Sequence, residues 1–167
     1  MSSLLAERNA FVVEAGADRH GEPLYVLGAD IQVKIASADT GGAFAVMEGY
    51  TPPLSGPPLH IHRTQDEAWY IVQGRFRFEV GGETILAGPG DTVFAPRGIP
   101  HTFQNISSEM GITVTTAVPG GLDEFFGELS EAAPRGSVPN LAALVPLFEK
   151  YDLELVGPPL AARSETR

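Results

Sequence analysis

A chain of 167 residues, 43% apolar and 19% charged, can bury a core without a disulfide or structural metal. It has no cysteine, which excludes disulfide scaffolds, zinc ribbons, thiol catalysis and iron–sulfur clusters. Eleven basic residues against 21 acidic ones leave a formal charge of −10, a field that repels nucleic acid. No apolar run nears the roughly 18–20 residues of a membrane span, and the N-terminus lacks the basic and apolar regions of a secretory signal. A cytoplasmic protein that binds neither membrane nor nucleic acid is expected.

Residues 1–30 read as an N-terminal extension: a short helix at Leu4–Asn9, then FVVEAG, a loop ADRHGEP, and an apolar run at Leu24–Leu27. His20 falls in that loop and reads as a loop residue. Residues 31–118 read as strand after strand. Ile31, Val33 and Ile35 alternate with Gln32, Lys34 and Ala36, and Gly41-Gly42 forms a hairpin turn before AFAVMEGY. Further strands are expected at Glu67–Val72, over 75–80, and at Glu83–Leu86, Thr92–Ala95, His101–Asn105 and Ile112–Val118. Gly/Pro turns recur every 8–12 residues, from Pro52-Pro53 to Pro96-Arg97-Gly98. Short strands so punctuated mean an all-β sandwich or barrel, and the absence of βαβ alternation argues against a doubly wound sheet.

Residues 119–167 read as a helical tail. Leu122, Phe125, Phe126 and Leu129 share one helical face, with Asp123, Glu124 and Glu128 on the other. A second helix is expected at Leu141–Tyr151, with Pro146 positioned to kink or divide it. These helices would cover one end or face of the β-body, Phe125 or Phe126 plugging its mouth and the other sitting in a dimer contact. The whole chain is expected to form one domain, 1–167.

The histidines carry the chemistry. His60 and His62 stand two apart, so in a strand both imidazoles point to one face. Glu67 begins the next strand; a turn over Arg63–Asp66 would return the chain and set Glu67 opposite both rings. His101 would add a third imidazole from a distant strand. Three histidines and a carboxylate suit a divalent transition metal with one or two open positions. Alone, an HxH pair is a weak sign, since surface histidines are common.

A wider pattern surrounds them. HIHRTQDEAWYIVQG gives His60-x-His62-x4-Glu67-x6-Gly74, and GDTVFAPRGIPHTFQN gives Gly90-x5-Pro96-x-Gly98-x2-His101-x3-Asn105. Together they resemble the two motifs of the cupin superfamily, with one departure: three residues, not five, separate Gly56 from His60. The resemblance implies a double-stranded β-helix (jelly-roll) barrel with metal ligands His60, His62, Glu67 and His101. The bound ion would be iron, nickel, manganese, cobalt, copper or zinc. Asn105 reads as a strand-end residue that bonds backbone rather than metal.

Strand parity places Trp69, Ile71, Phe76, Phe78, Val80 and Phe103 inward, and of these Trp69, Phe76, Phe78 and Phe103 are the candidate substrate-binding residues. For each of them core filling is the competing role. The register leaves Phe44 or Ala45, and Met47 or Tyr50, undecided. Arg63, Arg75, Arg77 and Arg97 read as solvent-facing, Arg97 in a surface ion pair. The single-cupin layout and the tail ending in VGPPL resemble bacterial quercetin 2,3-dioxygenase-like proteins. That implies a mononuclear dioxygenase acting on a small aromatic or flavonol-like substrate, with dioxygen as co-substrate and Glu67 as the base. Two alternatives stay open: a metal-dependent isomerase or hydrolase of a small carbonyl compound, and a non-catalytic binding module. Family analogy also implies a homodimer.

Overall fold

The computed structural model describes residues 9–163. The helix expected at Leu4–Asn9 lies outside them except for Asn9, which has no regular structure. In chain order the strands are β1 (Leu24–Val26), β2 (Ala29–Ile35), β3 (Ala45–Thr51), β4 (Leu59–His62), β5 (Asp66–Gln73) and β6 (Phe76–Val80). They continue with β7 (Glu83–Ala87), β8 (Thr92–Ala95), β9 (His101–Asn105) and β10 (Gly111–Val118). The C-terminal part holds α1 (Leu122–Ala132), α2 (Leu141–Lys150), β11 (Leu153–Gly157) and α3 (Leu160–Arg163).

Two antiparallel sheets form a jelly roll. One runs β1-β2-β3-β10-β5-β8 and the other β11-β4-β9-β6-β7. Period-two burial gives each sheet an inner face: β3 buries Ala45, Met47, Gly49 and Thr51, and β10 buries Gly111, Thr113, Thr115 and Ala117. Two apolar clusters result. Trp69, Ile71, Phe76, Phe78, Val93 and Ala95 fill the space between the sheets on one side. Val33, Met47, Leu122, Phe125, Leu129, Leu144, Phe148 and Leu153 join the other end to the helices. The helices therefore cover one end of the β-body, as expected, and both Phe125 and Phe126 belong to that seal.

Several local expectations are corrected. The β2–β3 connection is not a tight Gly-Gly hairpin; it is a 3-10 turn at Ser37–Thr40, with a register shift between Val33 and Ile35. Gln32 is buried rather than solvent-facing, because the preceding segment lies along β2. Asp18 accepts from the Val33 amide (2.7 Å), and Lys34 Nζ donates to the Ala17 carbonyl (2.6 Å) and to Gln32 Oε1 (2.7 Å).

Strands also lie beyond the expected boundaries. β1 precedes residue 31, and β11 makes the tail part of the second sheet. Asp123 is not on the polar face of its helix; it is buried and accepts from the Ser37 amide (2.9 Å) and hydroxyl. Pro146 neither divides nor ends α2. Arg77 is half-buried and donates to Gln104 Oε1, whereas Arg97 is exposed and paired with Asp66 (2.8 Å). Among the described residues no helix is long and apolar enough to cross a membrane.

Candidate metal centre

β4 and β5 do not form a hairpin. They belong to opposite sheets, so the turn after His62 carries the chain across the sandwich and Glu67 faces the imidazoles over the gap. His60 and His101 are partners across β4 and β9, the single register pair between those strands. The three rings are grouped, with centroids 4.5 Å apart for His60–His101, 5.0 Å for His60–His62 and 5.3 Å for His62–His101. One potential ligand atom from each of His60, His62, Glu67 and His101 lies within 4.8 Å of the others, and all four side chains are buried. Glu67 Oε2 is 3.2 Å from both His62 Nε2 and His101 Nε2.

Each ring is held from behind. His60 Nδ1 meets the Pro58 carbonyl at 2.8 Å, and His101 Nδ1 meets the Ile99 carbonyl at 2.9 Å. A carbonyl only accepts, so both Nδ1 atoms carry the proton. His62 Nδ1 meets Gln65 Oε1 at 3.1 Å. The Gln65 amide nitrogen donates to the carbonyls of Pro119 (3.3 Å) and Gly120 (2.8 Å), which fixes its oxygen toward His62. All three Nε2 atoms are thereby aimed at the common centre, the arrangement that orients metal-binding imidazoles. The donor set therefore fits a divalent transition metal. Gln65 was not singled out from the sequence, because the carbonyls that orient it lie more than 50 residues away.

The electrostatics agree. Burial, then the neighbouring His101 and His62 imidazoles, drive His60 down to about 3 from an ordinary 6.5. Burial likewise lowers His62. Burial alone would raise Glu67, but the His62 and His101 rings outweigh it and the carboxyl is lowered. Burial alone would lower His101, yet its hydrogen bond to Glu67 prevails and the ring is raised. Outside the pocket, Arg97 holds the half-buried Asp66 carboxyl down to about 2.

Three of the four groups, His60, His62 and Glu67, line a cavity of about 100 Å³. Its walls are mostly apolar, including Ile31, Met47, Trp69, Phe103, Phe125 and Phe126, and no Arg or Lys lines it. Trp69 and Phe103 are thus at the cavity, as parity suggested. Phe76 and Phe78 are not among its lining residues; both are fully buried and pack against Trp69 and Phe103 from behind. β3 turns Ala45 and Met47 inward, resolving the register, while Phe44 lies outside the strand.

The N-terminal extension contributes Val26 and Leu27. Leu27 sits at φ 47° in a left-handed conformation that is uncommon for leucine, within the two-residue turn joining β1 to β2. Gly56 also belongs to the lining. A Cβ there would stand 1.9 Å from the Phe103 carbonyl oxygen, so glycine is required where the chain crosses β9.

Comparison with known proteins places this geometry. Residues 48–117 match the Cupin domain family model. Quercetin 2,3-dioxygenase of Aspergillus japonicus is 30% identical over 136 residues, 75% of this chain and 38% of that protein. Quercetin 2,3-dioxygenase of Bacillus subtilis is 26% identical over 121 residues, 72% of this chain and 35% of that protein. The Streptomyces PAC13 variant solved with uridine superposes with a TM-score of 0.60 at 13% identity, covering 93% of this chain and 97% of that one. The chain spans about half or less of the length of these curated relatives and of others it matches.

Proposed function

This chain belongs to the cupin superfamily, and from that premise we propose that it is a mononuclear-metal dioxygenase acting on a small, uncharged aromatic substrate. The observation that carries the reading is the convergence of four buried donors, each histidine held from behind, at one wall of an apolar cavity free of lysine and arginine. A redox-active divalent ion held by His60, His62, Glu67 and His101 would supply an open coordination position, Lewis acidity and a route to dioxygen. Glu67 Oε2 is the proton acceptor for a substrate hydroxyl, since its carboxyl is held ionised by the flanking imidazoles. Trp69 and Phe103 give the ring a flat apolar wall. Phe125 and Phe126, on the helix that caps the barrel, exclude water. Apart from the ion itself, no cationic side chain lines the cavity to pair with a carboxylate or phosphate.

Size narrows the substrate. At about 100 Å³ the cavity is smaller than the roughly 150 Å³ apolar cavity that accommodates benzene, so a small ring suits it better than a three-ring flavonol. Similarity to quercetin 2,3-dioxygenases supports the reaction class more than the substrate.

The test is elemental mass spectrometry of the purified protein, followed by an oxygen-uptake screen of neutral phenols and flavonols. About one equivalent of iron, nickel, manganese, cobalt or copper with oxygen consumption is expected. No metal, and none gained on reconstitution, would overturn the reading. Turnover under strict anaerobiosis would transfer the site to Lewis-acid isomerisation or hydrolysis. Glu67→Gln is expected to keep most of the metal and lose turnover; unchanged turnover would remove the base.

A homodimer belongs to the same proposal. Tyr70, Val72 and Phe94 leave apolar surface exposed on the outer face of β5 and β8, and a second copy would cover it. A monomeric mass in sedimentation velocity would exclude it.

A further inference from the structure

Strands β3, β10 and β5 lie side by side, so the inner face of their sheet is a grid of rows. The row of Glu67 contains Ala117 and Ala45. The next holds Trp69, Thr115 and Met47, and the one after it Ile71, Thr113 and Gly49. Thr51 faces Gly111 one row further. Rows on one face repeat about every 7 Å along a strand. Thr115 is therefore one row from the carboxylate and Thr113 two.

All three threonines line the cavity. They are buried, with exposures of 3% for Thr51, 2% for Thr113 and 8% for Thr115. Their hydroxyls make no hydrogen bond to a described residue and are not among the fully occluded unpartnered side-chain atoms, so they stand open to the cavity. Other buried threonines of this chain behave differently. The Thr40 hydroxyl donates to the Phe44 carbonyl (2.7 Å), and the Thr102 hydroxyl donates to that of Pro57 (2.7 Å). Buried polar groups are normally paired, and valine would fill the same volume on a strand without a hydroxyl to satisfy. Gly49 keeps the strip open. A Cβ there would lie 3.3 Å from Thr113 Oγ1, against the face that hydroxyl presents.

We propose that Thr115 and Thr113 are specificity residues that hydrogen-bond a hydroxyl or carbonyl oxygen of the substrate, on the side of the ring away from Glu67. The proposal rests on the cavity being the substrate site, as inferred above. It narrows the substrate class to a neutral single ring bearing an oxygen substituent beyond the one that meets Glu67. The strip can donate and accept, so it distinguishes such a ring from a purely hydrocarbon one.

The test is a binding comparison on the metal-loaded full chain under argon, with hydroquinone and 4-methylphenol as probes of nearly equal size, each carrying one hydroxyl for Glu67 and differing only in the second substituent. Isothermal titration at pH 7 suits it, because a phenolic hydroxyl keeps its proton there. The wild type is expected to prefer hydroquinone by about tenfold, the scale of one or two hydrogen bonds. Thr115→Val and Thr113→Val should each cut that preference severalfold, and the double variant should abolish it. Metal content should stay unchanged. Thr115→Ser, which keeps the hydroxyl, should retain the preference; this control separates recognition from packing. An undiminished preference in the double variant, or failure of both rings to bind the wild type, would overturn the proposal. The oxygenase reading stands or falls separately, on metal content and oxygen uptake.

Discussion

His60 and His101 are neighbours across one strand pair, yet their environments push them in opposite directions. In the unfolded chain His60 takes up a proton near pH 6.5; in the fold it does so only near 3. Between those values the unfolded state binds more protons, so His60 makes the metal-free protein less stable as pH falls. His101 works the other way: its contribution is present at low pH and lost as pH rises through its raised folded value. Imidazole-detected NMR of the metal-free protein at pH 5 is expected to show His60 neutral and His101 doubly protonated. Three rings titrating together near 6.5 would contradict the packing described.

Substitution separates the roles at this scale. His101→Ala should weaken metal binding more than about 100-fold with the fold retained by circular dichroism, because it removes a donor outright. Gln65→Leu should cost about 10–100-fold, the range for partners that orient a ligand. Competition against a chelator of known affinity would rank the two; equal affinities for both variants and the wild type would dismiss the assignment. The histidines and Glu67 were legible because their spacing among the glycines and prolines resembles the two cupin motifs; strand parity alone gave only a shared face for His60 and His62. Gln65 was not, since its orientation is set by carbonyls at Pro119 and Gly120. The threonine strip was also hidden, because parity says which residues face inward but not which inward hydroxyls lack a partner.

At the scale of elements, the segment before β4 behaves almost as a strand of its own. The Leu54 amide bonds the Asn105 carbonyl (2.8 Å), the Asn105 amide bonds the Ser55 carbonyl (3.0 Å), and Thr102 and Gln104 reach the carbonyls of Pro57 and Leu54. Asn105 donates to the carbonyls of Thr51 and Glu109, which is the backbone-bonding role its motif position suggested. The shorter spacing from Gly56 to His60 thus has a physical meaning: the glycine marks the close crossing over Phe103. Gly56→Ala should destabilise by about 3 kcal/mol, the upper end of overpacking costs, because a backbone carbonyl cannot rotate aside as a side chain can. Urea denaturation with an unchanged midpoint would refute that crossing.

Most strand boundaries were readable from alternation, but β11 was not. Its apolar residues Leu153 and Leu155 follow a helix in a segment too short to declare a period. Its place beside β4 depends on a partner roughly 90 residues earlier. The β4–β5 hairpin expectation failed for a related reason: a short turn fixes a reversal of direction but not whether the chain stays in the same sheet.

For the whole molecule, the metal and the fold should be coupled. The ligands come from both sheets, so an ion at their centre would tie β4 and β9 to β5. At a free metal concentration 100 times the dissociation constant, binding adds about 2.7 kcal/mol. For a chain of this size that corresponds to a melting temperature about 5–10 °C higher. Thermal denaturation with and without a chelator measures it, and coincident curves would argue against a bound ion. The charge of −10 works in the same direction, since a negative field draws divalent cations and repels anionic competitors.

β11 lies beside the strand that carries two of the histidines, Leu153 opposite His62 and Leu155 opposite His60, and the Arg63 amide bonds the Asp152 carbonyl (2.9 Å). Every donor of the centre is therefore translated well before the strand that braces it. At about 5–20 residues per second, the ribosome needs roughly 3–11 s to travel from His101 to Gly157. During that interval the nascent chain carries three imidazoles and a carboxylate without the outer edge of their sheet. Ion capture at the four donors would then be a late event in biosynthesis, set by the metals on offer once residue 157 has emerged.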